Sequence, residues 1–76
     1  MRELVLFVAK HLVDDPDQVE VIEVENGQNL VLQLKVAPDD VGKVIGRQGR
    51  IARAIRSVVK AAASRDSRRV TVEILS

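Results

Sequence analysis

This 76-residue chain has no cysteine, tryptophan or tyrosine, and one residue each of phenylalanine, histidine and methionine. Without cysteine there are no disulfide staples, no thiolate metal sites and no thiol chemistry. Long apolar runs are missing too. Charge interrupts them within a few residues, and none approaches the ~20 needed to cross a bilayer. Met1-Arg2-Glu3 is followed by no signal-peptide pattern, so the expected location is the cytoplasm. A chain this short makes one domain, 1–76, and buries roughly 60–65% of its unfolded surface, so its stability is modest and a partner matters.

The charge that is present is unevenly placed. The net charge is +1, yet residues 1–40 carry 3 basic against 9 acidic side chains and residues 41–76 carry 9 against 2. A second half of one sign steers a polyanion, with the acidic half facing away from it.

Leu4, Val8 and Leu12 recur every four residues, with Phe7 and His11 beside them, which predicts a helix over Glu3–Val13 with Phe7 in the core. Asp14-Asp15-Pro16 stops it. Val19 to Glu25 reads as an exposed strand whose alternation slips between Val21 and Ile22, where a bulge fits. Asn26-Gly27 is a hairpin signal. Leu30, Leu32, Leu34 and Val36 then alternate with Val31, Gln33 and Lys35, a strand with one core face.

Pro38 opens a short helix with Asp39 and Asp40 at its positive end, and Gly46 is expected to end it. In the helix after Gly49, Ile51, Ala52, Ile55, Val58, Val59 and Ala62 fall in one arc of roughly 120°, and Arg50, Arg53, Arg56 and Lys60 in another. Ser64 to Arg68 is a loop, and Val70, Val72 and Ile74 mark a last strand. Two helices precede that strand, a crossover that permits parallel pairing beside the second strand. The expected fold is α/β in two layers, α-β-β-α-α-β, with a three-stranded mixed sheet and the helices on one face.

The richest stretch is Val44-Ile45-Gly46-Arg47-Gln48-Gly49-Arg50. Gly46 and Gly49 allow close approach to the backbone, and free amides at the start of the following helix donate to an anion. Arg47 and Arg50 add charge, and Gln48 an uncharged donor. Val44 and Ile45, with aliphatic side chains of the helix and the central strand, would form an apolar bed. The bland reading of the same residues is a glycine-cornered helix turn with solvated arginines.

Residues 44–55 resemble the signature of KH domains, an isoleucine-glycine-x-x-glycine loop followed by a helix with spaced aliphatic residues. The element order resembles the type II, prokaryotic, version of that fold. From Leu4 to Ile74, including the run Val36–Gly46, the chain resembles the family of small bacterial proteins made of one KH domain, the KhpA family. The resemblance implies a single-stranded RNA-binding protein, acting as an RNA chaperone or post-transcriptional regulator with a partner. It implies that Gly46, Arg47, Gln48 and Gly49 clamp the backbone of about four nucleotides, that Ile45 lines the base groove, and that Arg50 and Arg53 stand beside the loop. It also implies self-association or pairing with a larger KH-containing RNA-binding protein.

Other readings fit less of the chain. A helix-turn-helix on duplex DNA would place Arg50, Arg53, Arg56 and Lys60 on a reading helix, but it does not account for three strands or for paired glycines in the turn. With no Trp or Tyr and the sole aromatic, Phe7, on the first helix, an aromatic sheet platform for bases is not expected. An adaptor or dimerisation module for a larger RNA-binding protein is the alternative function. No catalytic or metal site is expected, and no cofactor. His11 reads as a surface or partly buried helix residue. Asp14, Asp15 and Asp17 belong to a solvated turn, Asp39 and Asp40 fit helix capping, and Gly42-Lys43 is followed by Val44 rather than the Ser or Thr of a nucleotide-binding loop.

Overall fold

Leu30, Leu32 and Leu34 are fully buried, and the other elements are arranged around them. The computed structural model describes residues 1–75 and, among them, every side chain except those of Arg47 and Gln48. The elements are α1 (Arg2–Leu12), β1 (Glu20–Asn26), β2 (Asn29–Lys35), α2 (Pro38–Ala62) and β3 (Arg69–Leu75), with single turns of 3-10 helix at Pro16–Gln18 and Ala63–Arg65. The sheet order is β1-β2-β3. β1 runs antiparallel and β3 parallel to β2, so the leucine strand is central and mixed, as its alternation requires.

The hairpin forms with Asn26 paired to Asn29. The turn residues are therefore Gly27 and Gln28, one position later than an Asn-Gly centre. Gly27 takes a φ of 61°, the positive value that a two-residue hairpin turn demands at its first position. The register runs one to one from Glu20↔Lys35 to Asn26↔Asn29, so no bulge is present. The apolar pattern of β1 slips for another reason. Val21 faces the core, whereas Ile22 and Val24 lie on the sheet face that carries no helix and remain exposed.

In α1 the buried stripe is Val5 and Ala9, continued by Val13 just past the helix end, one position later than Leu4, Val8 and Leu12. Both sets repeat every four residues. The set containing Ala9 faces inward, letting the helix sit close to its neighbours, and Leu12 is exposed. Phe7 is not in the core. It lies about 160° around the helix from the centre of the buried stripe, is 63% exposed, and stacks on His11 with ring centroids 4.4 Å apart. His11 is exposed and its Nδ1 donates to the Phe7 carbonyl at 2.8 Å.

α2 is one hydrogen-bonded run of 25 residues, divided by its backbone. Gly49 has a φ of 67°, the left-handed value that a right-handed helix cannot propagate. Two helical limbs result, one before and one after the glycine-bracketed stretch, and the order is α-β-β-α-α-β. The break falls at Gly49, not at Gly46, which lies inside the helical run. Val44 anchors the first limb in the core, and Ala52, Ile55 and Val59 anchor the second. Val72 of β3 joins them, so all three helical segments cover the same face of the sheet.

Asp40 ties the first limb to the turn after α1. Its carboxylate is 2% exposed and accepts the backbone N–H of Asp14 at 3.2 Å and of Asp15 at 3.0 Å. Lys43, one turn on, donates to the Asp14 carboxylate at 2.7 Å.

Candidate nucleic-acid interface

The left-handed Gly49 opens onto a depression of about 390 Å³ lined by Ile45, Gly49, Ala52, Arg56 and residues Val72–Ile74 of β3. Ile45 is 51% exposed, an apolar side chain left at the surface beside the loop. Gly46 keeps a right-handed backbone, and a Cβ built there meets nothing within 4 Å. No internal contact therefore demands glycine at position 46. Its missing side chain instead leaves the outer face of the first limb open to close approach.

A second depression, of about 500 Å³, is lined by Arg56, Val59, Lys60, Ala63, Ser64 and residues Val70–Val72. The two share Arg56 and Val72 and form one groove. Its walls are the second limb of α2 and β3.

The free edge of β3 faces outward along this groove. The Arg69 N–H donates to the Gln28 carbonyl at 2.8 Å, the regular offset of a parallel pair in which Arg69 faces Asn29. Main-chain groups alternate in direction along a strand. Arg69, Thr71 and Glu73 therefore bond to β2, while Val70, Val72 and Ile74 turn their N–H and C=O groups to the edge. The opposite sheet edge is partly closed, because Arg2 Nε donates to the Val21 carbonyl at 2.9 Å. Among the described residues no such bond reaches the outer edge of β3.

Arg50, Arg53, Arg56 and Lys60 are all exposed, and among the described residues none joins an ion pair. Arg56 lines both depressions, whereas Arg50 and Arg53 line neither. The side chains of Arg47 and Gln48, the two polar members of the loop, lie outside the described residues. Two expectations are corrected. Val44 is fully buried and forms no part of an apolar bed. The central strand is covered by the helices, so the second wall of the groove comes from β3. Arg56, Val72 and Ile74 are not among the binding residues expected from the sequence. Their signal was the positive arc of the helix for Arg56 and the alternation of the last strand for the other two.

Beyond the groove, Arg68 holds the start of β3. Its guanidinium grips Asp66 through Nε at 3.0 Å and Nη2 at 2.8 Å, and reaches Glu25 through Nη1 at 2.8 Å. The Asp66 carboxylate also accepts the Arg68 backbone N–H at 2.9 Å. These bonds, the side-chain ones foremost, lower the Asp66 pKa to about 2, and the same pairing raises that of Arg68. Among the described residues no group of three His, Asp or Glu side chains is placed to hold a metal ion, and no helix is long and apolar enough to cross a membrane.

A mixed three-stranded sheet with its helices on one face, and a glycine-bracketed break between the last two helical limbs, is the type II KH fold. A family model described as the KH domain of KhpA/KhpB matches residues 2–74. The RNA-binding protein KhpA of Clostridium acetobutylicum is 59% identical over 75 residues, spanning 99% of this chain and 100% of that protein. The proteins of the same name from Caldanaerobacter subterraneus subsp. tengcongensis and Clostridium perfringens are 60% and 57% identical over the same shares. No solved structure matches the chain. The chain belongs to the KhpA/KhpB family of KH-domain proteins. KH domains are non-catalytic modules, and it is not an enzyme.

Proposed function

We propose that this protein binds single-stranded RNA in the groove between the second limb of α2 and the free edge of β3, with the backbone gripped at Gly46–Gly49. The observation that carries the reading is the continuity of that groove with the left-handed Gly49. The loop supplies close approach and amide donors for phosphate, and Arg47, Gln48, Arg50 and Arg53 supply charge and hydrogen bonds around it. The exposed Ile45 and the half-buried Ile74 offer an apolar surface to base faces. The outward N–H and C=O groups of Val70, Val72 and Ile74 are suited to the Watson–Crick edges of unpaired bases. A duplex does not present those edges.

The relatives named as RNA-binding proteins span the whole chain, which supports RNA as the ligand. A groove that holds few nucleotides binds more tightly when a second module shares the strand. The protein is accordingly proposed to work in the cytoplasm as a dimer, or with a larger KH-bearing partner, as an RNA chaperone or post-transcriptional regulator. The test is a titration of single-stranded RNA, single-stranded DNA and duplex against the parent protein and the double variant Arg47→Asp, Gln48→Asp. Single-stranded RNA should bind best, and the folded double variant should lose that binding. Equal affinity of parent and variant would rule out the loop as the grip.

A further inference from the structure

The edge of the sheet remote from the proposed RNA groove is open along much of β1. In a two-residue hairpin the flanking pair, here Asn26 and Asn29, exchanges hydrogen bonds, and alternate pairs follow down the ladder. Ile22 and Val24 therefore bond to β2, whereas Val21, Glu23 and Glu25 turn their N–H and C=O groups outward. The bond from Arg2 Nε to the Val21 carbonyl agrees with this direction and occupies that group alone. Among the described residues no other bond reaches the main chain of Glu23 or Glu25 on the outer side.

An open edge is a template for a further strand, and the side chains here define which strand fits. Ile22 and Val24 are 44% and 41% exposed on the face that carries no helix. Glu23 and Glu25 stand on the other face. Among the described residues Glu23 joins no ion pair, and Glu25, though it meets Arg68, remains 67% exposed. An added strand sets its side chains beside those of β1, face for face. It gains most with apolar residues beside Ile22 and Val24 and cations beside Glu23 and Glu25, in alternation. A second copy of β1 would bring carboxylates together, which destabilises a strand pair. A nucleic-acid strand meets the same repulsion.

We propose that the β1 edge docks an extended segment of another protein, in which Lys or Arg alternates with Val or Ile, as a fourth strand of the sheet. The segment lies on the edge opposite the free edge of β3, so it and RNA can be held at once. The inference does not rest on the RNA reading. Charges on an edge strand also guard it against pairing, and the experiment separates the two roles.

The probes are peptides of seven residues, the length of β1. One alternates lysine with valine, one has the same composition in two blocks, and one alternates glutamate with valine. Hydrogen exchange and amide shifts read the binding. At saturation the lysine–valine peptide should slow exchange at the Glu23 and Glu25 amides by about tenfold, and the other two should not. Methylating the main-chain nitrogens of its lysines or of its valines should separate the two sets. The set facing β1 should cost about tenfold or more in affinity, since each lost bond is worth about fivefold, and the other set little. Glu23→Lys, on an exposed side chain, should weaken the lysine–valine peptide about fivefold and admit the glutamate–valine one. A block peptide that binds equally well, or methylated sets that act alike, would overturn the proposal, because charge attraction alone produces both results. Absence of protection by the lysine–valine peptide would show the acids to be guards of the edge and overturn it as well. Slowed exchange at Glu23 and Glu25 on adding single-stranded RNA, or on concentrating the protein alone, would overturn it in favour of RNA or of a second copy.

Discussion

Asp40 and Asp15 are joined by a hydrogen bond of 3.0 Å from the Asp15 backbone N–H to a carboxylate that is 2% exposed. With the companion bond from Asp14, it fixes the turn after α1 to the first limb of α2, the limb that leads into the Gly46–Gly49 stretch. Asp40 is thus more than a favourable charge at a helix N-terminus.

Replacing it should show this. Asp40→Ala is expected to cost about 1–3 kcal/mol of stability, because two backbone donors lose a charged acceptor in a dry place. Asp40→Asn, which retains one acceptor oxygen, should cost less. Lys43→Ala breaks a surface ion pair whose Asp14 partner is largely exposed, and should fall within about 1 kcal/mol of the parent. Urea unfolding of the three variants checks the ranking, and equal losses for Asp40→Ala and Lys43→Ala would refute it.

The two loop glycines should respond to alanine with opposite signs. At Gly46 the backbone is right-handed and the space open, so Gly46→Ala should raise stability by about 0.5–1 kcal/mol. At Gly49 the φ of 67° makes Gly49→Ala cost about 1–2 kcal/mol. RNA affinity should fall in both. A stabilised Gly46→Ala that still binds RNA fully would show that the backbone does not approach RNA there.

Acid stability should depend on Asp66. Its pKa is about 2 in the folded chain against 3.8 for the free group. A carboxylate whose folded value is depressed stabilises the fold above its unfolded pKa, and that contribution is lost as pH falls through the folded value. The loss should therefore run from about pH 4 to about pH 2. Asp66→Asn should flatten the parent's decline in melting temperature over that window, and an unchanged slope would show that the pairing with Arg68 does not persist in solution.

Phe7→Ala should change stability by no more than about 0.5 kcal/mol, as expected for a surface position. A core phenylalanine would cost about 3–5 kcal/mol. Thermal unfolding decides between the two, and a loss in the upper range would place Phe7 under a contact that covers it.

Much of the fold was legible because it rests on local pattern. The alternation of Leu30, Leu32 and Leu34 marks the central strand, Gly27 marks the turn, and Ile55 and Val59 mark the inward face of the second limb. The candidate site was legible where it depends on local chemistry, in the bracketing of Arg47 and Gln48 by Gly46 and Gly49 and in the positive arc that includes Arg56. The readings that changed on α1 and β1 share one cause, which is that two neighbouring registers had equal apolar content. Leu4, Val8 and Leu12 compete with Val5, Ala9 and Val13 on α1, and Val21 competes with Ile22 on β1. Periodicity alone does not say which set faces inward.

What the sequence determined by itself was therefore the order of the elements, the mixed sheet and the place of the loop, since these follow from residue type and spacing along the chain. Only the tertiary structure decided which apolar residues face the core, that Val44 is buried while Ile45 stands at the surface, and that Asp40 holds a turn 25 residues away. It also decided that the second wall of the groove is β3, whose outward main-chain groups are a consequence of its parallel register with β2. Those features are set by contacts between segments far apart in the chain, and no window along the sequence contains both partners.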